Sequence, residues 1–124
     1  MLSHAHCTAM LPVTDVSRAR RFYEGQLGLH AKAALPNGEV LFESDGSTFS
    51  LYPRPSPPKT DHTALSWDVP DIRAEMADLR SRGVRFEDYP EMNTRDGIAE
   101  MGGEKAAWFK DPDGNILCIH ETRR

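Results

Sequence analysis

Laid over itself with an offset of 56 residues, the chain repeats its own plan. His6 falls on His62, Leu11 on Trp67, Val13 on Val69, Asp15 on Asp71, Val16 on Ile72 and Tyr23 on Leu79, while Gly28 meets Gly83 one residue out of step. A chain of 124 residues that duplicates a unit of this size has room for two small, similar modules and for little else.

Within each copy the hydrophobic spacing changes from two to three and four. Ala9, Leu11 and Val13 alternate with Thr8, Met10 and Pro12, the pattern of a half-buried strand. Asp15 then stands where an N-cap carboxylate can accept from the free N–H groups of a first turn. Val16, Ala19, Phe22, Tyr23 and Leu27 follow at helical spacing, and Gly28 supplies a left-handed stop. The second copy has Leu65, Trp67 and Val69 on its strand, Asp71 as cap, Ile72, Met76 and Leu79 as the apolar stripe, and Gly83 as stop. Arg18, Arg20, Arg21, Arg80 and Arg82 fall mostly on the outer helix faces and read as solvated surface.

Short strands punctuated by turn residues follow each helix: Asn37-Gly38 and Asp45-Gly46 in the first copy, Gly102-Gly103 and Asp113-Gly114 in the second. The pattern predicts strands at 6–13, 29–35, 39–44, 48–53, 62–69, 84–89, 97–101, 105–110 and 115–121. Nine segments stand where two βαβββ modules need eight. The stretch 90–103, interrupted by Pro90, Asn93, Asp96, Gly97, Gly102 and Gly103, reads as a loop carrying one irregular strand. The fold class is therefore α+β, with module 1 at about 1–53, a Pro-rich linker at 53–61 and module 2 at 62–124. The linker's prolines favour a stiff, extended connection; Pro55 to Pro58 also match a PxxP ligand, and docking of a partner there is the alternative.

Composition narrows the partners. Hydrophobic residues at 39% support a packed core, and 19 acidic against 15 basic residues give a net charge of −4 without the basic footprint that nucleic acid requires. Two cysteines, Cys7 and Cys118, are too few for a disulfide scaffold, and the opening MLSHAHCTAMLPV lacks a secretory pattern, so a reducing cytoplasm is expected. No stretch approaches the ~20 apolar residues that span a bilayer. No membrane partner is expected.

The repeated βαβββ plan, the segment Asp15-Val-Ser-Arg-Ala-Arg-Arg-Phe-Tyr23 with Leu27-Gly28-Leu29 after it, and the closing Phe109-Lys-Asp-Pro-Asp-Gly-Asn115 resemble the vicinal oxygen chelate superfamily. That superfamily holds glyoxalase I, fosfomycin- and bleomycin-resistance proteins and extradiol dioxygenases. The resemblance covers nearly the whole chain as one domain, 1–124. It implies sheets curled into a cupped half-barrel with outer helices, an inner ligand cleft and a homodimer. Function does not follow from such a fold alone.

The resemblance also implies where a divalent ion would be held. Those positions fall on Thr8, Ser50, Ala64 and Cys118, a set poorly suited to a metal, so no cofactor is expected. Three histidines stand two residues away from such positions: His6, His62 and His120. A step of two keeps a strand face, although it shifts a side chain by about 7 Å. The leading expectation is a small-molecule-binding protein of the bleomycin-resistance-like type. The alternative is a metal-dependent glyoxalase-like lyase or isomerase, or a dioxygenase, using His6, His62 and His120. Whether the chain is an enzyme stays open.

Strand parity sends Leu11, Val13, Leu65, Trp67, Val69, Leu117 and Ile119 toward the helices and Thr8, Met10, Ser50, Tyr52, Ala64, Ser66, Ile116 and Cys118 to the inner face. The expected ligand-binding residues are Thr8, Met10, Ser50, Tyr52, His62, Ala64, Trp108, Cys118 and His120. Trp108 and Phe109 are neighbours on one strand, so one faces the cleft and the other the core. Cys118 beside His120 invites a nucleophile reading, but a buried thiol acting as a small hydrophobe suits it better. The carboxylates of Asp111 and Asp113 read as turn-formers in Asp111-Pro-Asp-Gly-Asn115 rather than as catalytic acids.

Overall fold

The computed structural model describes residues 1–122, and the chain divides into two compact units, Met1–Pro58 and from Lys59 onward. The first unit contains β1 (Thr8–Val13), α1 (Val16–Arg21), β2 (His30–Ala34), β3 (Val40–Ser44) and β4 (Ser47–Pro53). The second contains β5 (Thr63–Asp68), α2 (Ile72–Ser81), β6 (Ile98–Met101), β7 (Glu104–Lys110) and β8 (Ile116–Glu121). Each unit holds a four-stranded mixed sheet, ordered β1-β4-β3-β2 and β5-β8-β7-β6, in which the first and last strands of the unit pair in parallel. The fold is α+β, with one βαβββ plan per unit. Among the described residues no helix is long and apolar enough to cross a membrane.

Both helices begin as their caps predict. Asp15 accepts from the Arg18 N–H at 3.0 Å, and Asp71 from the Ala74 N–H at 3.1 Å. The ends differ. α1 stops at Arg21 and widens into a π turn over Phe22–Gln26, where the Leu27 N–H reaches the Phe22 carbonyl at 3.1 Å. That turn absorbs the residue that put Gly28 and Gly83 out of step. Beyond it, the Leu29 N–H bonds the Tyr23 carbonyl, whereas its counterpart Val84 bonds the Leu79 carbonyl with one residue fewer between them. Gly28 and Gly83 both adopt positive φ, as their role as stops requires.

The two cores use different chemistry on the same frame. In the first unit Tyr23, Phe42 and Phe49 are buried together; Phe42 and Phe49 stack at 5.2 Å, and Tyr23 tilts onto both. In the second, Ile72, Met76 and Leu79 are buried on α2, which packs on β7 and β8, and Phe86 meets Phe109 edge-on at 5.5 Å. Strand register carries the expected parity. Leu65 stands beside Leu117 and Trp67 beside Ile119, while Ser66, Cys118 and Trp108 form a row on the opposite face. Phe109 therefore joins the helix side and Trp108 the other.

One predicted strand does not form. Residues 84–89 contribute a single bridge, Glu87 to Trp108, and the outer edge of β7 is covered instead by β6, whose Ile98 pairs with Ala107. The backbone leaves the sheet between the two because Pro90 has no N–H to give and Asn93, Asp96 and Gly97 all take positive φ. A short 3₁₀ turn, Pro90–Met92, occupies this excursion. The stretch 90–103 thus carries a true edge strand, and the irregular segment is the one before it.

Candidate functional site

The excursion has a consequence for the sheet face turned away from α2. It brings Tyr89 and Met92 onto a buried cluster of Ala99, Ala106, Trp108 and Cys118, with Ile116 alongside. Tyr89 meets Trp108 edge to face, 5.6 Å between centroids and 82° between planes. The indole Nε1–H donates to Thr63 Oγ1 at 3.1 Å, which holds the ring in one orientation. Beside it opens a hollow of about 260 Å³ lined by Asp61, His62, Thr63, Tyr89, Glu91, Met92, Trp108 and Ile116.

The excursion is tied to itself. Asp88 Oδ1 accepts from Thr94 Oγ1 and from the Gly97 N–H, both at 3.0 Å, and the Tyr89 N–H donates to Thr94 Oγ1 at 2.8 Å. Burial pushes the Tyr89 phenol up from its ordinary range, and the carboxylates of Glu87 and Glu91 push it further. Tyr89, which lines the hollow, therefore keeps its phenol protonated. With an aromatic floor, a thioether wall and carboxylates at the rim, the hollow can receive a flat, mainly apolar molecule.

Of the nine residues expected to bind a ligand, His62 and Trp108 line this hollow, and Cys118 belongs to the cluster beneath it. His120 lies farther along β8, its Nδ1 2.6 Å from Ser66 Oγ. Ala64 departs from expectation. It is the unpaired residue of a β-bulge between Thr63 and Leu65, so the alternation slips there and Thr63, opposite Ile116, takes the place beside Trp108. Thr8, Met10, Ser50 and Tyr52 belong to the first unit, where Met10 pairs with Ser50 and Pro12 with Tyr52 on the face opposite the aromatic core. Met10 is exposed there, whereas Ser50 is buried with its hydroxyl donating to Glu39 Oε1 at 2.8 Å.

A model of the Glyoxalase/Bleomycin resistance protein/Dioxygenase superfamily matches residues 4–119. The chain belongs to that superfamily. A comparison with curated proteins finds no match. Among solved structures, TnmS3, an antibiotic binding protein from Streptomyces sp. CB03234, is similar at 23% identity with a TM-score of 0.73, covering 98% of each chain. A glyoxalase/bleomycin resistance protein/dioxygenase from Nocardioides aligns at 16% identity and TM-score 0.70, over 94% of this chain and 82% of its own. The fosfomycin resistance protein FosX from Listeria monocytogenes aligns at 15% and 0.71, over 94% and 90%. At these identities the likeness is one of fold.

Superfamily membership raises the question of a divalent ion, and the side chains at the corresponding positions do not fit one. Thr8 Oγ1 bonds Thr48 Oγ1 at 3.0 Å, Ser50 is engaged by Glu39, and Ala64 has no donor atom. Cys118 is buried, and burial pushes its thiol up, away from the thiolate that a metal needs. The displaced histidines are each engaged by a hydroxyl: His6 Nε2 with Thr48 at 2.6 Å, His62 Nδ1 with Thr60 at 2.9 Å, and His120 with Ser66. Among the described residues no three His, Cys, Asp or Glu side chains gather as a metal-ligating group.

Tyr89, Met92, Thr63, Asp61 and Glu91 are the lining residues that sequence reading missed. Thr63 was hidden by the bulge, which no hydrophobic pattern announces. Tyr89 ends the segment read as a strand at 84–89, and Met92 lies just beyond Pro90 in the stretch read as an interrupted loop. An aromatic and a thioether on either side of a proline, beside a strand bearing Trp108, was the available signal.

Proposed function

We propose that this superfamily member is a small-molecule receptor that takes a flat, mono- or bicyclic aromatic ligand into the hollow beside Trp108, without a metal. The observation that carries the reading is the pairing of Trp108 with Tyr89 over a hollow of about 260 Å³. That volume lies just under the range of about 300–1,000 Å³ found for drug-sized ligands, which suits a compact ring system. Thr63 and Tyr89 supply polar handles for orientation, and Met92 a wall that adapts to ring shape. The mismatch between the metal-ligand positions and their occupants, Thr8, Ser50, Ala64 and Cys118, supports binding over metal-dependent lyase, isomerase or dioxygenase chemistry.

Titration of a Trp67→Phe variant with naphthalene- and quinoline-type compounds isolates the Trp108 emission. Saturable one-to-one quenching is expected, with affinity weakened by up to about tenfold in Tyr89→Ala, the loss of one edge-to-face contact. Absence of quenching across the panel overturns the reading. So does elemental analysis of untagged protein that finds one tightly held transition-metal ion per chain.

A further inference from the structure

On the same face of the second unit, away from the hollow, three side chains stand in a row that ligand binding does not use. His120 Nδ1 lies 2.6 Å from Ser66 Oγ, and its Nε2 lies 3.8 Å from Asp68 Oδ1. Strand register accounts for the arrangement. β5 and β8 run parallel with Ser66 opposite Cys118 and Asp68 opposite His120, so all four share one face and the imidazole reaches between the two β5 residues. Ser66 is exposed, His120 is half-buried, and the residue opposite His120 on β7 is the small Ala106. A carboxylate beside Nε2 favours the tautomer that carries its proton there. Nδ1 is then left to accept from the Ser66 hydroxyl.

We propose that Ser66 is a nucleophile with His120 as its general base and Asp68 as a positioning residue, and that this row hydrolyses small activated carboxylic esters. Ser66 Oγ attacks the ester carbonyl as its proton passes to His120 Nδ1; the carbonyl carbon's bond to the leaving oxygen breaks, and the alkoxide or phenoxide departs with its electron pair. His120 returns its proton to that group or to solvent. A water molecule then attacks the acyl-serine, giving a proton to Nδ1, and the carboxylic acid leaves as Ser66 recovers its hydrogen from His120. Cys118, the neighbouring alternative, is buried; its thiol donates to the Ile119 carbonyl and also meets the Ser66 side chain, but burial holds it protonated. The face is open, so solvent meets the developing oxyanion and the acceleration is that of general-base assistance alone, about 10²-fold.

The test is p-nitrophenyl acetate, applied to the full chain in a Cys7→Ser background that removes the exposed thiol. Peptide mass analysis is expected to find the acetyl group on Ser66, with p-nitrophenolate release falling about 100-fold in Ser66→Ala and in His120→Gln, both checked for unchanged melting. Asp68→Asn is expected to slow Ser66 acetylation without changing the substrate concentration for half-saturation, and Asp68→Glu to restore part of the rate, a pattern that a purely structural role would not produce. The site of acetylation in the otherwise unaltered Cys7→Ser chain supplies a reading free of folding effects. An acetyl group found elsewhere, release undiminished in Ser66→Ala, or Ser66 acetylation undiminished in His120→Gln overturns the proposal.

Discussion

Replacing Asp111 by Ala tests whether its carboxylate builds a turn or performs chemistry. Asp111 is 5% exposed, and its Oδ1 accepts from the Asp113 and Asn115 N–H groups while Oδ2 accepts from Asn115 Nδ2, each at 2.9 Å. Hydrogen bonds to a charged acceptor contribute roughly 1.5–3 kcal/mol each, and two of these share one oxygen, so their loss costs about 4 kcal/mol. For a chain of this length that lowers Tm by on the order of 15 °C. Asp111→Asn keeps Oδ1 for the two backbone donors but sets its amide NH₂ against that of Asn115, and is expected to cost about half as much. Thermal melts followed by circular dichroism order the three proteins as wild type, Asn, then Ala. An Ala variant melting within about 4 °C of wild type, or an Asn variant no better than Ala, refutes the turn argument. Unchanged melting with lost ligand binding would assign the carboxylate to chemistry instead.

Thiol titration with a disulfide reagent is expected to find Cys7 reacting at once and Cys118 only after denaturation, since the first is exposed and the second buried. Burial raises the Cys118 thiol above its unfolded value of 9.0, so the folded chain holds that proton more firmly; the associated stability is present below about pH 9 and lost as pH rises further, and urea melts of Cys118→Ala should fall less steeply over that range. Asp88→Ala removes the acceptor shared by Thr94 and Gly97, and is expected to free the excursion and weaken aromatic ligands more than it lowers Tm, checked by titration beside a melt. Superfamily likeness carries the expectation of a homodimer; light scattering should return about twice the 13.9 kDa chain mass.

Much of the architecture was legible because it rests on local chemistry. Asp15 and Asp71 cap their helices, and Gly28 and Gly83 end the helical segments at positive φ, since each needs only its own neighbours to act. Even the single residue of slippage between the copies had a local meaning, realised as the π turn after Arg21. The site was less legible. Alternation placed Trp108 and Phe109 on opposite faces without choosing between them, and only pairing of Trp108 with Cys118 and Phe109 with Leu117 made the choice.

The amino-acid sequence by itself determined the duplicated βαβββ plan, the caps and stops, and the neutral residues Thr8, Ser50 and Ala64 that stand where the family resemblance implies metal ligands. Those are properties of residue type and short-range spacing. The tertiary structure alone decided that β6 takes the edge where 84–89 was expected, that the chain between them folds Tyr89 and Met92 over Trp108, and that a bulge at Ala64 turns Thr63 toward the indole. Edge pairing and bulges depend on which strand wins a shared row of backbone hydrogen bonds, and that competition is settled between segments far apart in the chain.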